Sequence, residues 1–262
     1  MTVLDRIAIS AEMAMAQSQP ALLLDRVRKR YGASFALDDV SFSIAPGEVV
    51  ALLGPSGAGK STVFRCISRL ATIDGGRVAV LGQDMAGMDR RALREHRRGI
   101  GLIFQQFNLI GRSTALDNTL AGRLGHAPTW RVLLRQFSAD DRQLALAALD
   151  RVGLLDKAYQ RADSLSGGQQ QRVAIARVLA QQSRLVLADE PVASLDPAAA
   201  ANVLGVLRDI ARERGIAVLC SLHQTDLARR YADRIVAMRH GKLMLDQPTA
   251  TVTVPSLNAV YA

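Results

Sequence analysis

EVVALLGPSGAGKST, Glu48 to Thr62, decides the fold. Its first half is a short apolar run of the kind buried on both faces of a parallel sheet. Its second half leaves the strand through glycines and ends on residues that open a helix. Gly54, Gly57 and Gly59 let the backbone turn its amides inward, with Pro55, Ser56, Ala58 and Thr62 completing the loop. Lys60 is placed to reach the β- and γ-phosphates of a nucleoside triphosphate, and Ser61 offers a hydroxyl to Mg²⁺. A strand before and a helix after are the setting this spacing requires.

On either side, short apolar runs alternate with longer helical patterns. IGLIF, RLVLADE and IAVLCSL read as further parallel strands, and Lys60 to Leu70 as the helix after the loop. The fold class is therefore α/β with a mostly parallel core sheet. ALLLDRVRKRY and FALDDVSFSI read as an antiparallel pair ahead of it, and DRIVAMRHGKLML as a hairpin turning at His240 and Gly241. Strand signal fades between Asn108 and Gln182, where DRQLALAALDRVGLL and GGQQQRVAIARVLAQ carry helical spacing. The expected division is a flexible N-terminal extension over 1–20, then a β-subdomain with the first part of the nucleotide-binding core over 21–107. A helical subdomain follows over 108–182, the remainder of the core over 183–246, and a C-terminal tail without clear periodicity over 247–262.

Composition excludes several classes. With 262 residues, 49% of them hydrophobic, the chain can bury a full core. No apolar run approaches the ~18 residues of a spanning helix. The first twenty residues lack the basic leader and continuous apolar segment of an export signal. Cys66 and Cys220 stand in no metal-ligand spacing and are expected to fill core space in a reducing compartment. A net charge of +9 asks for an acidic partner: nucleotide, nucleic acid or an anionic membrane surface. Aromatic residues make up only 4% and do not interleave the basic runs RVRKR and RRALREHRRG, which argues against base stacking.

RLVLADEP places Asp189 at the end of a buried strand, positioned to hold a magnesium ion through its water shell. Glu190 follows at once, beside the γ-phosphate, where a second acid can orient or deprotonate an attacking water. A second glycine-rich stretch, LSGGQQQR from Leu165 to Arg172, puts Ser166, Gly167 and Gly168 at a helix N-terminus. There the amides, a hydroxyl and the positive end of the dipole face an anion. One triphosphate needs one cradle, so the second loop calls for another phosphate.

GPSGAGKST, FQQ at Phe104 to Gln106, LSGGQQQR, LADEP, SLDP and the histidine of SLHQTD stand in the order and rough spacing of ATP-binding cassette (ABC) ATPases. The resemblance covers roughly Leu22 to Leu245. It implies a P-loop NTPase core, an N-terminal antiparallel β-subdomain and a helical insertion. It also implies a head-to-tail homodimer, in which the signature of one subunit, Ser166 to Gln169, closes over the ATP held by the other subunit's phosphate loop. By position, Gln105 resembles the family's Q-loop residue that contacts the metal or water, with Gln106 as the adjacent alternative. His223 resembles the switch histidine at the γ-phosphate, Tyr31 the aromatic residue stacked on adenine, and Asp196 the acid that communicates across the dimer. Asp163 is read as a cap or surface acid.

GRLGHAPTWRVLLRQFS, Gly122 to Ser138, together with ADEPVASLDP and LHQTDLARRYADRIVAMRHGKL, is similar to the ATPase subunits of bacterial phosphonate importers. That likeness implies work at the cytoplasmic face of the inner membrane, with transmembrane permease subunits and, indirectly, a periplasmic phosphonate-binding protein as partners. Nucleic acid is not expected. Other cargoes (phosphate or phosphite, polar amino acids, lipoprotein release) and a soluble ABC ATPase acting on nucleic acid are the alternatives. A small P-loop kinase would lack the LSGGQ stretch, Glu190 and the switch histidine.

Overall fold

The computed structural model describes residues 19–128 and 136–261. The expected extension over 1–20 lies outside them apart from its last two residues, as do residues 129–135 of the Gly122–Ser138 stretch.

The chain opens with β1 (Leu22–Tyr31) and β2 (Ser34–Ile44), paired antiparallel with Tyr31 opposite Ser34. Next come β3 (Val49–Leu53), α1 (Lys60–Ile67), β4 (Gly75–Val80), the two-residue β5 (Gln83–Asp84), α2 (Arg90–His96) and β6 (Ile100–Phe104). Among the described residues α3 (Ala115–Leu120), α4 (Ala139–Arg151) and α5 (Gly167–Ala180) follow. The rest is β7 (Leu185–Asp189), α6 (Pro197–Arg214), β8 (Ala217–Ser221), α7 (Thr225–Tyr231), β9 (Arg234–Arg239), β10 (Lys242–Pro248) and α8 (Val254–Tyr261).

Two sheets result. One is antiparallel, in the order β2-β1-β4-β5. The other runs β10-β9-β3-β8-β7-β6 and is parallel except at the β9–β10 hairpin. That hairpin turns at His240 (φ 48°) and Gly241 (φ 75°), the two left-handed residues a tight turn between twisted strands demands.

The strand that carries the phosphate loop is held from both sides. Val49, Ala51 and Leu53 of β3 face the core shared with the helical insertion, while Val50 and Leu52 face the core shared with the antiparallel sheet and α1. Each large apolar side chain so buried contributes about 1.5–3 kcal/mol. Because β3, β6, β7 and β8 are parallel, their C-terminal ends share one edge of the sheet. Loops converge there, as they do at ligand crevices of open α/β sheets.

Two stretches depart from the sequence reading. Gly75, Gly76 and Gly82 resemble loop residues, and the buried run Val78–Val80 is too short to register, yet β4 pairs along β1 and β5 extends it. The stretch after Gln247, expected to be an aperiodic tail, instead forms the last residue of β10, a 3-10 turn at Thr249–Thr251 and α8. Only Leu257 and Val260, three positions apart, anchor that helix in the core, too sparse a pattern for periodicity to reveal.

Candidate nucleotide site

The loop after β3 is built from conformations that only glycine adopts freely. Gly54 has φ 147° and Gly59 φ 103°. A Cβ on the first would lie 2.2 Å from the Met238 carbonyl oxygen, and on the second 2.5 Å from that of Ala36. Gly59 is also the N-cap of α1 and supplies no side-chain cap, whereas α3, α4, α5 and α6 begin with capping Thr114, Ser138, Ser166 and Asp196. The first amides of α1 are therefore left to an outside acceptor. Lys60 is buried, and its Nζ donates to the carbonyls of Gly54 (2.6 Å) and Pro55 (3.2 Å). Burial lowers its pKa, while the charges of Glu190 and Asp189 oppose that shift.

At the end of β7, Asp189 accepts a hydrogen bond from Ser221 Oγ at 2.7 Å. The next residue, Glu190, sits in the left-handed region at φ 50°, and its amide donates to the same Ser221 Oγ at 2.8 Å. His223 Nε2 donates to Glu190 Oε1 at 2.6 Å.

Two adjoining clefts open at this edge of the sheet. Ser56 to Thr62, Ala36, Glu190 and His223 line one. Ser61, Phe104, Gln105, Gln106, Asn108, Asp189 and Glu190 line the other. Ser61 and Glu190 belong to both, so the phosphate loop and the acids face a common space. Both candidate glutamines line the second cleft. Its hydroxyl, amide and carboxylate groups are the hard oxygen donors that suit Mg²⁺. Among the described residues no group of three or more His, Cys, Asp and Glu could cage an ion.

The other predicted residues line neither cleft. Ser166 caps α5 in a reciprocal box: its Oγ accepts from the Gln169 amide (3.4 Å), and Gln169 Oε1 accepts from the Ser166 amide (3.0 Å). The cap uses a lone pair of the hydroxyl and leaves its proton to donate elsewhere. Gly167 is exposed and Gly168 partly so. Asp196, also exposed, caps α6 through the Ala199 amide at 2.9 Å, ahead of Pro197. Tyr31 is 49% exposed beside the β1–β2 turn, with Lys29 Nζ 5.4 Å from its ring centroid. Asp163 is a surface acid paired with Arg161. Both cysteines are buried and free, and burial pushes the Cys66 thiol up to about 11 and the Cys220 thiol upward as well.

Sequence reasoning passed over two residues that shape the site. Ser221 is a hydroxyl inside an apolar strand, which is the one signal that could have marked it. Arg177 interrupts the apolar face of α5. Its guanidinium donates to the carbonyls of Asn108 (2.7 Å) and Phe107 (3.2 Å), consecutive residues with φ 48° and 55° in the loop after Gln105. That loop is thereby tied to the helix that carries Ser166 at its start.

Residues 37–193 match the sequence model of the family described as ABC transporter. The hypophosphite import ATP-binding protein HtxD of Stutzerimonas stutzeri is 49% identical over 241 residues, 92% of this chain and 71% of that protein. The phosphonates import ATP-binding protein PhnC 2 of Cupriavidus necator is 52% identical over 230 residues, 86% of this chain and 81% of that one. A dimeric bacterial ABC transporter cassette superposes with a TM-score of 0.75 at 33% identity, covering 87% of this chain and 98% of its own.

Proposed function

The chain belongs to the ABC transporter family, and we propose that it hydrolyses ATP at a composite site shared by two copies, to drive uptake of a phosphorus oxyanion. It is the ATP-hydrolysing subunit of an ABC importer. The observation that carries the catalytic reading is the 2.6 Å contact of His223 with Glu190, where the phosphate-loop cleft meets the acid-lined one.

Lys60, the amides of Gly57 to Thr62 and the helix dipole of α1 hold the β- and γ-phosphates. Ser61, Asp189 and Gln105 would hold Mg²⁺, which when bound neutralises charge on the phosphates. Glu190 takes the proton of the attacking water. His223 orients Glu190 and the γ-phosphate, so that water attacks in line and ADP leaves. Tyr31 stacks on adenine from the rim of the β1–β2 hairpin. These roles rest on the placement of the side chains together with the family pattern.

Ser166, Gly167, Gly168 and Gln169 line neither cleft of their own subunit, which favours a role at a neighbour's ATP. The chain works as a dimer, as the similar dimeric cassette does. In this reading the two copies pack head to tail, with Asp196 at their interface. Half of the electrostatic clamp then comes from the partner, and an isolated subunit hydrolyses ATP poorly.

Permease subunits are partners of an importer ATPase, and the chain works peripherally at the inner membrane. Among the described residues no helix is long and apolar enough to cross one. We assign the helical segment over 108–182 to permease docking at the cytoplasmic face, and a periplasmic binding protein to cargo delivery. Phosphonate is the cargo we favour, on the likeness to phosphonate import subunits. Hypophosphite is the second reading, on the likeness to HtxD. The test is ATPase activity with the cognate permease in lipid and binding protein loaded with an alkylphosphonate, hypophosphite or phosphate. Stimulation by the phosphonate alone supports the first reading, and stimulation by hypophosphite alone replaces it with the second.

A further inference from the structure

Ser221 ends β8 and is fully buried. The parallel register sets Ala188 beside Cys220, so the next residue on each strand, Asp189 and Ser221, adjoin at the cleft edge. One hydroxyl then uses both its hydrogen-bonding directions on two adjacent acids: it donates to Asp189 Oδ1 at 2.7 Å and accepts from the Glu190 amide at 2.8 Å. Glu190 has φ 50°, a conformation that a residue with a side chain keeps only when its surroundings impose it. Two residues beyond Ser221, His223 holds the carboxylate of the same glutamate. Backbone and side chain of Glu190 are thus gripped from one Ser-Leu-His stretch.

We infer that Ser221 is a positioning residue for ATP hydrolysis, its hydroxyl fixing Glu190 in the left-handed turn and committing Asp189 Oδ1 to the protein. This rests on the roles given above to Asp189 and Glu190. The hydroxyl touches neither substrate nor metal. It acts by removing two freedoms: rotation of the Asp189 carboxylate about its stem, and relaxation of the Glu190 backbone out of its strained turn. Among the described residues Asp189 Oδ2 is left as the oxygen without a protein partner, the one that faces a metal-nucleotide in this reading.

The test compares Ser221→Ala with the parent chain and with Glu190→Gln. Turnover should fall about 10- to 100-fold, the loss expected for one hydrogen bond to a charged group. KM for ATP should stay within about twofold, because the phosphate loop is untouched. Binding of Mn²⁺, titrated by electron paramagnetic resonance with a non-hydrolysable ATP analogue, should weaken at the same time. Turnover within about twofold of the parent and an unchanged Mn²⁺ titration would overturn the inference. So would a drop in turnover matched by equal losses of melting temperature and nucleotide affinity, since that marks a merely structural serine. Normal turnover in Glu190→Gln would strike at the glutamate's role instead, and the Mn²⁺ titration would still judge the Asp189 half. In the parent chain the Glu190 amide should exchange slowly with solvent deuterium, and fast exchange there overturns the clamp without any variant.

Discussion

His223 Nε2 donates to Glu190 Oε1 across 2.6 Å, joining the loops that follow β8 and β7. The contact orients the glutamate and leaves Oε2 without a protein hydrogen bond among the described residues. A carboxylate held by one oxygen and open at the other is suited to taking a proton from water.

Glu190→Gln keeps the shape and the histidine contact but cannot accept that proton. ATP binding should persist while turnover falls by at least about 100-fold, the lower range for losing a general base. The variant should accumulate as an ATP-bound dimer, visible by light scattering. Normal hydrolysis would sink the general-base assignment.

Ser166→Arg leaves the phosphate loop of its own subunit intact and places a bulky cation at the start of α5. It should bind ATP as a monomer with near-parental affinity and fail to dimerise on adding ATP. A variant that still forms the ATP dimer would contradict the composite site.

Glycines of the phosphate loop should differ in their tolerance. At Gly59 an added Cβ meets the Ala36 carbonyl at 2.5 Å in a φ of 103°, whereas at Gly57, with φ 80°, nothing lies within 4 Å. Both substitutions to alanine carry backbone strain of about 1–3 kcal/mol. Gly59→Ala alone must also shift the β2 backbone, so its melting temperature and ATP affinity should fall further than those of Gly57→Ala. Equal effects would count against the close approach of β2 to the loop.

Arg123 is buried at the end of the 3-10 turn after α3. It donates to Asp141 Oδ1 at 2.7 Å, to the Ala180 carbonyl at 3.1 Å and to Gln182 Oε1 at 3.0 Å. Arg123→Ala should cost about 3 kcal/mol in urea unfolding at pH 7, the low end for breaking a buried pair. Burial by itself would raise the Asp141 pKa, but Arg123 and the Ser138 hydroxyl hold it below the ordinary carboxylate value. A carboxyl with a lowered folded pKa gives its full stabilisation at neutral pH and loses it as the pH drops through about 3.9 and below. The difference between parent and variant should therefore shrink at pH 3. A difference that stayed constant would mean that packing of the arginine, and not the charge pair, carries the effect.

The legible parts of this chain were local ones. Gly54, Gly57 and Gly59 announce their loop because their positive φ angles are a property of each residue and its neighbours. RLVLADE and IAVLCSL announce strands because burial on both faces demands unbroken apolar runs. The start of α5 was legible for the same reason, since Ser166 and Gln169 cap within one turn. Where the sequence read only glycines or scattered apolar residues, at β4, β5 and α8, the elements exist through partners distant in the chain.

The sequence by itself determined the two glycine-rich loops, the acid pair Asp189–Glu190 and the α/β class, each legible in runs of a few consecutive residues. Only the tertiary structure decided what surrounds them. Ser221 reaches Asp189 and Glu190 because the parallel register of β7 and β8 sets Ala188 beside Cys220. Arg177 reaches Phe107 and Asn108 because α5 packs against β6 and α3. Contacts of this kind leave no periodic trace, since hydrogen bonds between residues about 30 or 70 positions apart are set by strand order and helix packing, not by local spacing.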